Sequence, residues 1–185
     1  MSVVENGNAQ MLLNGFWQVD PAHSAVEFRV RHLMIASVKG RFRDFDGAIV
    51  PGEAPTVAGS IRVASVDTFD ERRDEYLRSP DFFDVERFPE IRFRSSPIQL
   101  NGDDRRFVVA GELTMKDVTR PVTLDGVFRG RGLHPDDGER IALELRGELD
   151  RTDFGLGWNR ALETGGLLFG NTVELALDVS AVRAA

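Results

Sequence analysis

Apolar and charged residues alternate with a period of two over much of this chain, which is typical of β-strands that bury one face. From Ala25 to His32, for example, Val26, Phe28 and Val30 alternate with charged side chains. The same pattern recurs in further segments: 38–49, 61–63, 91–94, 107–113, 122–128, 141–149 and 173–179. The alternation slips by one residue at position 44, and one extra residue there predicts a β-bulge that helps the sheet curl.

Turn-forming residues separate these segments, and one short helix interrupts them. A run such as Pro135–Gly138 predicts a tight turn. The helix begins after Asp70, a favourable N-cap, and ends before Pro80. The sequence therefore predicts an all-β domain over residues 15–185, with about eight antiparallel strands and one short helix. We expect residues 1–14 to form a flexible N-terminal tail.

Glycines recur on the inward faces of the predicted strands, at positions 40, 47, 111, 126 and 147. Interior glycines permit tight bends and leave space inside a closed sheet. A β-sandwich fills its interior with side chains, whereas a barrel that holds a ligand leaves part of its interior empty. The glycines therefore favour an antiparallel eight-stranded β-barrel. A packed β-sandwich that binds another protein through its surface remains the alternative.

Composition narrows the classes of function. The chain has 185 residues, a common length for one all-β domain, and no cysteine, which excludes disulfides, thiolate metal sites and cysteine nucleophiles. Its formal net charge of -7 argues against a nucleic-acid partner, because phosphate backbones are held by positive fields. The sequence contains neither a secretory signal pattern nor an apolar stretch long enough to span a membrane, so we expect a cytoplasmic protein.

Six motifs follow one another in order along the chain. They are Asp20-x-x-His23-Ser24; Gly40-x-Phe42-x-x-Phe45-x-Gly47; Arg73-Asp74-x-x-Leu77-x-Ser79-x-Asp81-Phe82-Phe83-Asp84; Phe88-Pro89-x-Ile91-x-Phe93; Gly111-x-Leu113-Thr114 with Val118-Thr119-x-Pro121-Val122; and Asp150-Arg151-x-Asp153-Phe154-Gly155. Through this ordered set, the chain from Trp17 to Val179 resembles the YceI-like family of lipocalin-like, polyisoprenoid-binding proteins. Tyr76 departs from the pattern, since histidine is expected there in many relatives.

The resemblance implies a lipocalin-like antiparallel barrel, often a homodimer, with an isoprenoid lipid in its apolar interior. We expect a lipid of polyprenyl quinone or polyprenyl phosphate type, held for carriage, storage or sequestration without any cofactor. Its tail would lie against inward-facing residues of the strands: Phe28, Val30, Phe42, Phe45, Ile61, Val63, Phe93, Leu143 and Leu145. The same faces would equally form an ordinary filled core.

Aromatic and polar residues near the strand ends are candidates for the mouth of the barrel. Phe82 and Phe83 lie on an irregular segment and would form either a lid or a hydrophobic plug. Arg151 would bind an anionic head group, or it would fix a turn by pairing with a neighbouring aspartate. Trp158 and Asn159 would contact the ligand or cap the core.

The three histidines provide no catalytic or metal-binding motif. His23 and Ser24 are adjacent in sequence, whereas a catalytic triad is defined by its geometry in space. His32 lies on an inward face, where it would contact a head group or be satisfied within the core. An enzyme acting on an apolar substrate in the barrel would need a second convergent titratable group. Binding is therefore the predicted function, and catalysis is the alternative.

Overall fold

The period-two segments form antiparallel strands in a computed structural model, which describes residues 8–102, 104–158 and 168–185. Apolar side chains point inward and polar side chains point outward along most of them. Within the described residues there are twelve strands: β1 (Trp17–Val19), β2 (Ala25–His32), β3 (Ala36–Phe42), β4 (Phe45–Val50), β5 (Thr56–Arg62), β6 (Val66–Asp67), β7 (Glu90–Ser95), β8 (Gln99–Leu100), β9 (Arg106–Met115), β10 (Val118–His134), β11 (Gly138–Asp150) and β12 (Phe169–Arg183).

The predicted helix is α1 (Glu71–Arg78), and it lies where its capping residues indicate. The Asp70 side chain accepts a hydrogen bond from the Arg73 amide at 3.1 Å, which satisfies a free N–H group of the first turn. Among the described residues no helix has the length and apolar character needed to cross a membrane. Shorter 3-10 turns occupy Ala9–Leu13, Pro21–His23, Val63–Ser65 and Arg151–Phe154.

The strands close into an eight-stranded antiparallel barrel, which confirms the predicted fold class. Two of the eight barrel strands are long and bent, and each consists of two of the segments above. The first consists of β1 and β2, which lie one after the other along β12. The second consists of β3, which pairs with β2, and β4, which pairs with β1. Between these two long strands, Val26 pairs with Phe42 where β2 meets β3, and Gln18 pairs with Ala48 where β1 meets β4. The bend between β3 and β4 falls at Asp44, where the alternation slips. The remaining six are β5, β7, β9, β10, β11 and β12.

One end of the barrel is filled by side chains, and we call it the closed end. There β1 pairs with both β12 and β4. Trp17, Phe107 and Phe128 are the largest fully buried side chains of its core. Their packing leaves this half of the barrel as an ordinary protein interior.

Residues 8–14 belong to the segment that the sequence predicts to be a flexible tail, and they pack against the barrel, while residues 1–7 lie outside the described part of the chain. The 3-10 turn Ala9–Leu13 covers the closed end, with Ala9 and Leu12 buried. Trp17 Nε1 donates a hydrogen bond to the Met11 carbonyl at 3.1 Å. An uncovered barrel end would expose apolar side chains, so a short apolar segment that covers it is stabilised by burial.

The inward glycines make room for neighbouring side chains. At the closed end, the Phe107 ring lies over its cross-strand partner Gly126, with ring atoms 2.3 Å from the point where a Cβ would stand. Leu124 fills the corresponding space at Gly147. The expectation that these glycines leave the interior empty is therefore wrong at this end, because cross-strand side chains occupy the volume.

Candidate functional site

The opposite end of the barrel, which we call the open end, contains a cavity of about 170 Å³ whose surface is almost entirely carbon. Strands β2, β3, β7, β9, β11 and β12 contribute to its walls, and α1 lines it together with residues 82–83. Phe42, Phe83 and Ile91 belong both to the surrounding core and to the cavity wall. The barrel therefore offers an apolar ligand space beside its packed half.

The cavity brings together seven of the residues selected from the sequence: Phe28, Val30, Phe42, Phe82, Phe83, Arg151 and Trp158. The rings of Phe28 and Phe42 lie 5.4 Å apart between centroids, and those of Phe42 and Phe83 lie 6.3 Å apart. Phe82 meets Phe83 edge to face at 5.0 Å. The irregular segment between α1 and β7 thus adds two rings to an aromatic wall formed by β2 and β3.

Other selected residues are buried or partly buried in the barrel but lie outside the cavity lining: Phe45, Ile61, Val63, Phe93, Leu143 and Leu145. Leu143 and Leu145 lie in the core of the closed end, and Phe93 packs against that core. Alternation marks inward positions along the whole barrel, whereas the cavity occupies only the open end. His32 lies at the rim, with its ring 5.2 Å from that of Phe169. Asn159 lies outside the described residues.

Several lining residues were not selected from the sequence. Val38 faces Val30 across the β2–β3 pair, so the register of that hairpin would have identified it. Arg73, Tyr76 and Leu77 line the cavity from α1. Their i, i+3 and i+4 spacing places them on one face of the helix. The predicted helix therefore indicates that these three residues face the same neighbour.

Arg151 is buried at the cavity and is held by backbone carbonyls. Its Nε donates to the Gly170 carbonyl at 2.9 Å, and its Nη1 donates to the carbonyls of Leu156 at 2.6 Å and Trp158 at 2.9 Å. Nη2 is buried and has no hydrogen-bond partner among the described residues. Burial lowers the pKa of Arg151, and the nearby Asp150 charge opposes that effect. Arg151 therefore fixes the local backbone and retains donor capacity for another acceptor.

Asp150 does not form the hydrogen-bonded pair with Arg151 that one interpretation of the sequence required. Its carboxylate accepts hydrogen bonds from the Thr152 hydroxyl at 2.5 Å and the Thr152 amide at 2.9 Å, which caps the 3-10 turn. These bonds lower the pKa of Asp150. The Arg151 guanidinium is thus stabilised by carbonyl dipoles rather than by a bonded carboxylate.

Tyr76 carries the second unpartnered polar atom at the cavity. Its hydroxyl is buried without a hydrogen-bond partner among the described residues, and burial raises the pKa of Tyr76. Leaving such a group unpaired costs roughly 1–3 kcal/mol. The Tyr76 ring lies 5.5 Å from that of Trp158, whose carbonyl accepts a bond from Arg151. Both unpartnered groups are therefore neighbours of the same tryptophan.

Trp158 connects the cavity to the protein surface, since it lines the cavity and is 45% exposed. Its ring lies 6.0 Å from that of Phe169, which in turn contacts His32. We call these three residues the mouth of the cavity. The mouth is aromatic, so an apolar ligand that crosses it stays in contact with carbon surface.

A wider depression of about 970 Å³ lies on the outer surface of the barrel. Charged side chains of β2, β3, β10, β11 and β12 line it, and two of them, Arg29 and Glu174, approach to 3.9 Å. Such a concave face follows from the twist of a solvated sheet. The smaller apolar cavity is therefore the candidate ligand site.

His23 lies on the 3-10 turn between β1 and β2, away from the cavity lining. Its Nδ1 is 2.7 Å from Asp20 Oδ2, which also accepts a hydrogen bond from Arg140 at 2.7 Å. Within the described residues, no group of three or more histidine, aspartate or glutamate side chains is arranged to hold a metal ion. The bond between Asp20, which follows β1, and Arg140 on β11 instead links these two strands.

Comparison with known proteins finds relatives over most of the chain. Residues 17–181 match the YceI-like domain. The UPF0312 protein SA2479 of Staphylococcus aureus (strain N315) is 36% identical over 160 residues, which cover 84% of this chain and 90% of that protein.

Two solved structures share the fold. BcnA of Burkholderia cenocepacia superposes with a TM-score of 0.76 at 23% identity, covering 89% of this chain and 99% of that chain. A polyisoprenoid binding domain from Saccharophagus degradans superposes with a TM-score of 0.67 at 15% identity, covering 91% of this chain and 98% of that chain. The domain match and the sequence identity to the staphylococcal protein together show that this chain belongs to the YceI-like family.

Proposed function

We propose that this protein binds a long-chain isoprenoid lipid in the cavity at the open end. The observation that carries the proposal is the carbon-lined cavity itself, which lies next to a well-packed closed end. Membership of the YceI-like family and the fold likeness to a polyisoprenoid binding domain support the same ligand class. Burial of the tail would stabilise the complex by about 0.8 kcal/mol per methylene group.

The cavity is large enough for only a short section of a long-chain isoprenoid lipid. A cavity of about 150 Å³ accommodates a benzene molecule, so the 170 Å³ present corresponds to roughly one isoprene unit. Phe82 and Phe83 lie on an irregular segment, where rings rotate without breaking a strand ladder. We therefore assign these two residues the role of a lid whose movement enlarges the cavity for further units.

The head group of the lipid would bind at Arg151 and Tyr76. Among the described residues, Nη2 of Arg151 and the hydroxyl of Tyr76 are the buried side-chain polar atoms of the lining that have no hydrogen-bond partner. A carbonyl oxygen of a quinone or a phosphate oxygen would accept from either donor, and the bond from the guanidinium would be charge-assisted. Trp158 would pack against the head group between them.

Carriage, storage or sequestration fits this site better than catalysis. The described part of the lining carries no histidine, aspartate or glutamate side chain, and its titratable side chains are Arg73, Tyr76 and Arg151. General acid–base catalysis needs a group that exchanges its proton near the working pH. A cytoplasmic location and a homodimer stay predictions, to be tested by cell fractionation and by light scattering.

Organic extraction of the natively purified protein, followed by mass spectrometry, tests the proposed function. We expect a prenyl lipid at about one molecule per chain, and its mass would define both chain length and head group. An extract without prenyl lipid, together with failure to take up a prenyl quinone or a prenyl phosphate, would refute isoprenoid binding.

Two substitutions locate the ligand. Val38→Phe adds a ring to the cavity wall and should leave the fold intact while abolishing lipid retention, because the ring occupies ligand volume. Val50→Phe is the matched control, since β4 contributes no described residue to the lining. Phe42→Asp should also abolish retention, because it places a carboxylate against the tail. Unchanged lipid content in folded Val38→Phe and Phe42→Asp would place the ligand elsewhere.

A further inference from the structure

The turn between β2 and β3 exposes three consecutive large apolar side chains. Leu33, Met34 and Ile35 are 39%, 50% and 88% exposed. Hairpin turns of this length normally carry asparagine, aspartate or glycine. We call these three residues the hairpin tip.

The backbone of the hairpin tip is unfavourable for the residues it carries. Leu33 has φ +54° and Met34 has φ +62°, both in the left-handed region. Side chains such as leucine and methionine rarely adopt this conformation, which glycine and asparagine adopt readily. Neither the backbone conformation nor burial within the protein therefore explains why positions 33 and 34 are apolar. A contact with another molecule would explain it.

The hairpin tip lies directly beyond the mouth of the cavity. Val30 and Val38 form a cross-strand pair in the cavity wall, and two further pairs separate them from the tip. At about 3.4 Å per residue, the tip is ~10 Å beyond the wall. The Leu33 amide also donates to the Leu168 carbonyl, next to Phe169 at the mouth.

The same hairpin is basic, although the chain as a whole carries a net charge of -7. Residues 28–40 include Arg29, Arg31 and Lys39 and no aspartate or glutamate. All three cations are exposed on the outer face. An apolar tip flanked by cations is complementary to the surface of a bilayer that contains anionic lipid.

We propose that the hairpin tip inserts into the interfacial region of an anionic membrane and so places the mouth of the cavity against the lipid surface. Leu33, Met34 and Ile35 enter the acyl boundary, and Arg31 and Lys39 contact the anionic head groups. A water-insoluble ligand would then cross from membrane to cavity without passing through water. Vesicle binding itself does not require the proposed lipid ligand, whereas the transfer step rests on the proposed function.

Co-sedimentation of the full chain with lipid vesicles tests the proposal. We expect binding to vesicles of phosphatidylcholine with phosphatidylglycerol, weaker binding to phosphatidylcholine alone, and a loss of binding at high salt. Removing a single cation, as in Lys39→Gln, should weaken binding by about five-fold. Equal binding to neutral and anionic vesicles, or none to either, would overturn the proposal.

A double substitution separates membrane binding from folding. Leu33→Asn with Met34→Gly installs the residues that this turn prefers, so the thermal midpoint should rise while vesicle binding is lost. Leu133→Asn is the matched control, because Leu133 is 67% exposed on a different hairpin near the closed end and should be irrelevant to vesicle binding. Retained vesicle binding in the double variant would overturn the proposal. So would conversion of a dimer to a monomer by the double variant, which would show that the tip contacts a second copy of the chain.

Discussion

The ring of Phe28 occupies the space above Gly40 on the neighbouring strand. Three of its ring atoms lie 2.2, 2.7 and 2.9 Å from the point where a Gly40 Cβ would stand. The two residues are direct cross-strand partners, and Phe28 also forms part of the cavity wall. Because Gly40 has no side chain, the Phe28 ring lies close against β3 and occupies less of the cavity.

Gly40→Ala should reduce the space available to a ligand. We expect the new methyl group to displace the Phe28 ring towards the cavity, because the ring lies over the Gly40 Cβ position and also lines the cavity. We expect a loss of about 1–3 kcal/mol in the free energy of unfolding, which is typical of overpacking, and weaker binding of a prenyl quinone. Urea denaturation and fluorescence titration measure the two effects.

Gly132→Ala is the control for that substitution, because no heavy atom lies within 4 Å of the position of its Cβ. It should leave both stability and binding nearly unchanged. Ligand affinity in Gly40→Ala equal to that of the unsubstituted protein would show that the Phe28 ring moves away from the ligand.

Tyr76→Phe should stabilise the ligand-free protein. The substitution removes a buried hydroxyl that has no partner among the described residues, so the free energy of unfolding should rise by about 1 kcal/mol. Binding of a lipid whose head group carries an acceptor oxygen should weaken, whereas binding of a simple hydrocarbon should not. Chemical denaturation and paired titrations with the two ligands provide the test. A lower stability of Tyr76→Phe would show that the hydroxyl is hydrogen-bonded in the folded protein.

Arg151→Met should destabilise the protein without any ligand. The substitution removes the donor to the carbonyls of Gly170, Leu156 and Trp158. We expect the free energy of unfolding to fall by about 2–4 kcal/mol. Arg146→Met is the matched control, since the Arg146 side chain is 51% exposed and its ion pairs lie at the surface. There we expect a change below about 1 kcal/mol. Comparable losses in the two variants would contradict the structural role of Arg151.

Asp20→Asn should reduce stability near neutral pH but not in strong acid. Hydrogen bonds from Arg140 and His23 lower the pKa of Asp20 from 3.8 to about 2. A lowered carboxylate pKa contributes stability that is fully present above pH 3.8 and is lost as the pH falls through about 2. The variant should therefore lose on the order of 1–2 kcal/mol at pH 7, because a one-unit shift is about 1.4 kcal/mol and partial exposure weakens it.

Urea denaturation at pH 7 and at successively lower pH checks this expectation. The asparagine still offers an acceptor to the Ala22 amide, so the turn between β1 and β2 keeps its cap. Asp136→Asn, in the exposed turn after β10, serves as the control and should leave the stability at pH 7 nearly unchanged. A stability difference for Asp20→Asn that persists undiminished in strong acid would exclude the ionic contribution.

Local sequence predicts the strands and the helix of this protein, and it marks Phe82 and Phe83 as part of an irregular aromatic segment. Period-two alternation identifies the inward face of every long strand, and Asp70 with Pro80 brackets α1, because both signals depend on neighbours within a few residues. The ordered motifs likewise identify the family. Phe28, Phe42 and Arg151 could be selected as candidate site residues on this basis.

The position of the cavity depends on tertiary structure, and the alternation alone does not predict it. Leu143 and Phe28 both face inward on long strands, yet Leu143 lies in a packed core and Phe28 lies at a cavity. Alternation reports which face of a strand points inward, whereas the volume between opposite walls depends on register and on rings from distant strands. The burial of Ala9 and Leu12 at the closed end has the same origin, because it results from contacts between segments far apart in the sequence. So does the burial of the Tyr76 hydroxyl and of Arg151 Nη2, which have no hydrogen-bond partner among the described residues.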